Sequence, residues 1–325
     1  MQLSLSKFLQ WKINVLLCQK LGWNFAFFYI MVLGKLYFLF KQKEKKKIKE
    51  AVKMVFAKQK GQSEKRAIVR GVFKGILWHY YEKIFNVYNS LERLKNFFNQ
   101  NIKPDGIPVI EQGLARGKGV LLVTGHFGGI EFIPTYLAAQ NYPVTIMVKF
   151  SSEHLRKMSN ELATKMSFQI IDGNQCQNVV RTIMENLRKN RIVITQCDEI
   201  EEWRPSLKEE ISFLGKRTPL DKTINILTRR GDASLVFAVM RRINKHGYKF
   251  VAHSREEINN AYGQTGNRSV GEIVLKSLEQ YIYRHPEEWY QWKKVPEIMM
   301  EEGRVVPVNE LGSPSWMKPA LEGIS

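Results

Sequence analysis

Gly117 to Phe132 reads GKGVLLVTGHFGGIEF. Its apolar run from Val120 to Val123 is short and bounded by glycines, the pattern of a strand buried on both faces. His126 follows at once, then Gly128 and Gly129, then Glu131. In an open α/β sheet, ligands bind beyond the carboxyl ends of the strands, and His126 falls at such an end. Glycines there let the backbone turn sharply and let another molecule come close. A spacing of five rotates two side chains by about 140° on one helix, so His126 and Glu131 share no helical face. They meet only if His126 lies in the turn and Glu131 in the first helical turn. Glu131 would then accept a hydrogen bond from one imidazole nitrogen, fix the tautomer and leave the other nitrogen free as a base. The helix start would offer free amides to a developing oxyanion. The plainer reading is a glycine-rich strand-to-helix turn with two polar surface groups.

Downstream, strand-like and helix-like stretches alternate. Glu131 to Gln140 reads as a helix, Pro143 to Phe150 as a strand and Glu153 to Met166 as a helix. Ser167–Asp172, Arg191–Gln196 and Ser234–Arg242 read as strands; 177–189, 220–230 and 270–284 read as helices. Ile243 to Ser254 looks like a hairpin turn with a returning strand. The alternation predicts an α/β fold with a mainly parallel central sheet flanked by helices. Upstream, Ser63 is a plausible N-cap for a helix to Phe85, with Ile68, Val72, Ile76, Tyr80 and Ile84 along one apolar face.

The N-terminus has a different composition. Asn24 to Phe40 is nearly all apolar or aromatic, interrupted by Lys35. A membrane span needs about 20 apolar residues, so this stretch is marginal, and its aromatics suit the interface. KQKEKKKIKE follows, Lys41 to Glu50, with six lysines and two glutamates. An apolar segment followed by a lysine cluster matches attraction to an anionic membrane surface, with the rest of the chain on the cytoplasmic side. The alternative is a core helix with a solvated lysine tail. Over 325 residues the formal charge is +19, and 44% are hydrophobic, enough for a large core. Such a charge calls for nucleic acid, an anionic membrane or an acidic partner. No nucleic-acid-binding signature accompanies it, so no nucleic acid is expected. Three separated cysteines imply neither a disulfide framework nor a zinc site.

Several blocks, taken in order, resemble the bacterial lipid A biosynthesis acyltransferases of the lysophospholipid acyltransferase superfamily. RGKGVLLVTGHFGGIEF resembles the catalytic block, with His126 and Glu131 at its H-x-x-x-x-D/E positions. VITQCD, Val193 to Asp198, resembles a strand ending in an Asp-Gln-Asp-like run. ISFLGKRTPLDKTINILTRRGDASLVFAVMRR and PEEWYQWKKV resemble the later blocks, and the likeness covers about Leu21 to Val295. Three features depart from the pattern: Lys149 stands where the family usually has arginine, only Asp198 matches cleanly in the Asp-Gln-Asp-like run, where Gln196 and Cys197 differ, and EIEEWRPSLKEE is acidic where the family is usually glycine-rich.

The resemblance implies transfer of an acyl chain from acyl-carrier protein or acyl-CoA to a hydroxyl of a membrane lipid resembling a lipid A precursor. It implies a location at the bacterial inner membrane, with the catalytic domain on the cytoplasmic side, and chemistry that needs no metal or other cofactor. His126 would be the base and Glu131 its orienter. Gly128 and Gly129 amides, with Lys149, would face the oxyanion, and Asp198 would join the site. Arg241, one of several paired arginines, would meet acceptor phosphate or the acidic carrier, or else belong to a solvated face. Cys197 reads as a small buried residue rather than a nucleophile. The expected division is an anchoring segment 1–60, an α/β acyltransferase domain 61–310 and a tail 311–325. A glycerophospholipid acyltransferase, or a non-catalytic basic binding protein, is the alternative.

Overall fold

The computed structural model describes residues 22–150, 152–199, 205–245, 247–262 and 268–295. Part of the expected anchoring segment (1–21), His246 and the tail 311–325 lie outside these residues. Strands β1 (Ile102–Asp105), β2 (Val120–Thr124), β3 (Val144–Val148), β4 (Gln169–Asp172), β5 (Ile192–Gln196), β8 (Ser234–Arg242) and β9 (Tyr248–Ser254) form one sheet. Their order is β1-β9-β8-β2-β5-β3-β4. Every neighbouring pair is parallel except β8 and β9, the expected hairpin. The α/β class and the mainly parallel sheet are therefore as expected.

β2 lies in the middle of the sheet between β5 and β8, and all five of its residues are buried. A central strand covered on both faces has no solvent side, which is why it shows no alternation. Two features were not read from the sequence. The edge strand β1 has the burial pattern of one inward and three exposed residues and contains Pro104, so its composition is that of a loop. A separate antiparallel pair, β6 (Pro205–Phe213) and β7 (Lys216–Asp221), lies between β5 and the next helix. β7 takes Leu220 from the expected helix, which begins instead at Thr223.

Helix α1 spans Trp23–Phe40 and α2 Gln42–Val55, with a 94° bend between them at Lys41, whose backbone is non-helical. Among the described residues no single helix is long and apolar enough to cross a membrane. The lysine cluster is thus part of an amphipathic helix. Ile48, Ala51, Val52 and Val55 of α2 are buried, and Phe56 packs against Trp292, ring centroids 6.1 Å apart. α3 (Gln62–Tyr88) crosses α1 closely: a Cβ on Gly34 would come 2.0 Å from Leu77. The cap of α3 is Gly61 rather than Ser63, and the Glu64 carboxylate accepts the Gly61 N–H at 2.9 Å. α1, α2 and α3 share one hydrophobic core with the sheet.

The remaining helices are α4 (Leu91–Asn101), α5 (Ile107–Ala115), α6 (Ile133–Ala139), α7 (Glu153–Met166), α8 (Val179–Arg188), α9 (Thr223–Gly231), α10 (Arg255–Tyr262) and α11 (Val270–Arg284). α6 begins two residues later than expected because Pro134 occupies its first turn; a short 3₁₀ turn, Ile130–Phe132, precedes it. A second short 3₁₀ turn, Pro286–Glu288, follows α11 and leads the chain back across the end of β2.

Candidate active site

Parallel pairing of β2 with β5 sets Thr124 opposite Gln196. Two residues further along each strand lie His126 and Asp198. The Cys197 N–H donates to the Thr124 carbonyl at 2.8 Å, extending the register past both strand ends. Asp198 is fully buried and receives three donors. The His126 backbone N–H reaches both carboxylate oxygens at 3.0 and 2.9 Å, the His126 ring meets Oδ1 through Nδ1 at 2.9 Å, and the Trp289 indole N–H donates to Oδ2 at 2.7 Å. These donors hold the carboxylate in place, and it in turn fixes the imidazole plane. The other ring nitrogen, Nε2, faces Glu199 Oε1 at 3.0 Å.

His126 therefore lies between two carboxylates. Its side chain is 19% exposed, and that burial opposes an imidazolium. Asp198 and Glu199 outweigh it and push the His126 pKa up to about 10. Glu199 is in turn held below the usual carboxylate range against its own burial, by its bond to His126 and by the charges of Lys294 and Lys149. Asp198 is the rigid partner and Glu199, with a 36% exposed side chain, the accessible one.

A model of the bacterial lipid A biosynthesis acyltransferases matches residues 3–294. The chain belongs to that family. Among curated proteins none matches the sequence. In this acyltransferase the sequence expectation for Glu131 needs correction. Its carboxylate meets Nε2 of His79 at 3.5 Å and Lys83 at 3.4 Å, while the His126 ring is taken by Asp198 and Glu199. The reason is the 3₁₀ turn: it swings Glu131 toward α3, and the Glu131 carbonyl accepts the Asn86 side-chain amide at 2.7 Å. Burial and the nearby charges of Lys83 and His126 push the His79 pKa well down. The His79 ring stacks on Tyr290 at 4.0 Å, and His126 meets Tyr290 edge-on at 6.0 Å.

The glycine amides are also committed. Gly128 N–H donates to the Glu288 carbonyl at 2.8 Å and Gly129 N–H to the Met240 carbonyl at 2.7 Å. The expected oxyanion donors are spent on docking the turn against β8 and the segment after α11. Gly128 has φ 59°, and an added Cβ would lie 1.9 Å from the Met240 carbonyl oxygen. Glycine is required there by close backbone approach rather than by a substrate.

Arg241 is likewise not a surface cation. It is 5% exposed and pairs with Glu288 at 3.3 Å, because β8 is buried along its length. Its neighbour Arg242 forks onto Glu82 of α3 at 2.6 and 2.8 Å and donates to the Gly128 carbonyl at 2.6 Å. Burial pushes the Glu82 carboxyl up and Arg242 opposes it; the bidentate geometry is that of an ion pair. Tyr248 adds a third donor to Glu82 at 2.9 Å. Lys149 is exposed just after β3, and its charge reaches Glu199. Cys197 is buried and its thiol is pushed well up by burial, the setting of an unreactive packing residue.

Sequence reading missed Glu199, Glu82, the polar role of Trp289 and the ring contacts of Tyr290. Arg242, expected as a phosphate or carrier ligand or a solvated cation, is instead the buried partner of Glu82. Only the adjacency of β2 and β5 marks the residues around Asp198 as partners of His126. Of possible metal ligands, His285, Glu287 and Glu288 lie within 4.8 Å of one another, but Glu288 is already committed to Arg241 and Arg242.

Proposed function

We propose that this lipid A-type acyltransferase moves a fatty acyl chain from an acyl thioester, on acyl-carrier protein or coenzyme A, to a hydroxyl of a lipid A precursor-like membrane lipid. The observation that carries the reading is the His126–Asp198 pair at the carboxyl ends of adjacent parallel strands. In the resting site the imidazole is protonated and bonded on both sides. The acceptor hydroxyl takes the place of the Glu199 carboxylate at Nε2. Losing that carboxylate lowers the His126 pKa and frees the Nε2 lone pair, while Asp198 keeps the proton on Nδ1.

His126 then takes the hydroxyl proton as the oxygen attacks the thioester carbonyl. A C–O bond forms, the C–S bond breaks, and the proton passes from Nε2 to the departing thiolate. Asp198, steadied by Trp289, stabilises the imidazolium that forms in between. Lys149 and Lys294 supply positive potential on the side where Glu199 stood, toward the oxyanion. Glu131 acts at a distance, holding α3 against the catalytic turn through His79 and Lys83.

The acceptor lies in a bilayer, so the site works at a membrane, in this reading the cytoplasmic face of the bacterial inner membrane. Six of the seven large exposed apolar side chains among the described residues belong to α1: Phe25, Phe28, Val32, Leu36, Leu39 and Phe40. Their spacing of three and four puts them along one face, suited to the headgroup boundary. The test is acyl-thioester consumption with membrane lipid as acceptor, product read by mass spectrometry. Acylated lipid that depends on His126 supports the reading; wild-type protein that consumes no thioester with any lipid hydroxyl overturns it.

A further inference from the structure

α1, α2 and α3 enclose a groove of about 1250 Å³. Phe27, Met31, Phe38, Phe73 and Leu77 are among the apolar residues lining it. Eight cations also line it, including Lys49, Lys53, Arg66, Arg70 and Lys74, and no acidic residue does. Among the described residues none of these five forms an ion pair. The groove opens beside the exposed apolar face of α1, since Leu39 belongs to both.

The groove is separate from the catalytic centre. On α3, Arg66, Arg70, Phe73 and Leu77 fall within about 60° of one another around the helix. His79 and Glu82, which face the site, lie about 120–180° from Phe73. Apolar floor, cationic rim and lateral opening fit one kind of molecule. Residues 1–21 carry Lys7, Lys12 and Lys20 and no acid, so they would add to the charge excess rather than neutralise it.

We infer that this groove is a binding site for one anionic glycerophospholipid of the bilayer, its acyl chains against Phe27, Met31 and Phe73 and its phosphate at Arg66, Arg70 and Lys74. The lipid is not the acyl acceptor; it closes the charge excess and seats the three-helix layer on the membrane. The inference rests on the reading of α1 as membrane-facing, and its test is made without a bilayer.

Native mass spectrometry of the full chain, released from detergent micelles containing equal dioleoylphosphatidylglycerol and dioleoylphosphatidylcholine, reads occupancy directly. The wild-type protein is expected to carry one phosphatidylglycerol. The triple variant Arg66→Gln/Arg70→Gln/Lys74→Gln is expected to lose that adduct at least roughly tenfold, as removal of three cations near a phosphate requires. A charge-matched control, Arg181→Gln/Arg188→Gln on α8 with Lys189→Gln at its C-cap, is expected to keep it. Val69→Trp, which fills the groove at unchanged charge, is expected to lose it.

Equal occupancy by the two lipids, equal loss in the control, or an adduct that survives both groove variants would overturn the inference. So would loss of acyl-carrier protein binding in the triple variant with the lipid adduct intact, which would assign the surface to an acidic protein. Failure of the catalytic reading is distinguishable, because His126→Ala leaves the adduct unchanged.

Discussion

At the scale of single residues, His126 is set by two carboxylates with different duties. Asp198, buried and triply bonded, orients the ring; Glu199 occupies the Nε2 side, which the proposed reaction gives to the acceptor hydroxyl. His126→Ala is expected to cost about 10²–10⁴ in thioester consumption while the circular dichroism spectrum and melting temperature stay near wild type. A folded variant that keeps half its rate would remove His126 from the chemistry. The pH dependence separates the carboxylates. The base must be deprotonated, so activity rises with pH, and kcat/KM should follow the free-enzyme pKa of about 10. The kcat limb should lie lower, because bound acceptor has displaced Glu199. Glu199→Gln is expected to move the kcat/KM limb down by roughly one to three pH units, the usual effect of one nearby carboxylate. Glu131→Gln is expected to leave that limb in place, since its carboxylate meets His79 and Lys83. A shift of equal size in both variants would contradict the assigned geometry. The same raised pKa stabilises the fold. Its contribution is full below about pH 6.5, the unfolded value, and is lost as pH rises through about 10.

At the scale of elements, the turn after β2 is held by bonds to β8 and to the segment after α11. The Gly128 N–H donates to the Glu288 carbonyl, the Gly128 carbonyl accepts from Arg242, and Arg242 is locked to Glu82 of α3. These contacts tie the turn, β8, α3 and the segment after α11 together. Arg242→Met leaves a buried carboxylate unpaired and is expected to destabilise the protein by about 3–5 kcal/mol. Gly128→Ala combines a left-handed backbone with a contact of 1.9 Å to the Met240 carbonyl. It is expected to cost about 2–5 kcal/mol, the sum of the conformational and overpacking penalties. Denaturant unfolding of each variant measures both. A Gly128→Ala midpoint equal to wild type would mean that the turn does not pack against β8 as described.

At the scale of the molecule, α1 exposes an apolar face, and Lys45, Lys49 and Lys53 of α2 line the groove beside it. Each cation near an anionic surface contributes about 1 kcal/mol and is weakened by salt, whereas apolar insertion is not. The full chain is expected to sediment with anionic vesicles at high salt and to need detergent for release. Replacing the lysines of 41–49 by glutamine is expected to weaken sedimentation without abolishing it. Phe28→Ser/Leu36→Ser/Phe40→Ser is expected to make it salt-sensitive. Intact protein left in the supernatant at physiological salt would remove the anchoring argument.

The strand–helix alternation, the buried strand Val120–Thr124 and the histidine at its end were legible in the sequence, because burial and backbone period leave local marks on composition. The turn at Gly128 was legible as a turn. The boundaries of α7, β8 and α11 were legible too, where caps and apolar spacing coincide. β1 was not, since a short edge strand containing proline has no strand composition. The partner of His126 was decided only in three dimensions. His126 and Asp198 are 72 residues apart, and Trp289 is 91 residues beyond Asp198. Only the adjacency of β2 and β5 and the return of the chain after α11 bring them together. Glu131 is near in sequence, yet a 3₁₀ turn ahead of Pro134 directs it to α3. Local spacing constrains which residues are able to meet, and sheet order and turn geometry, which depend on the whole core, decide which of them do.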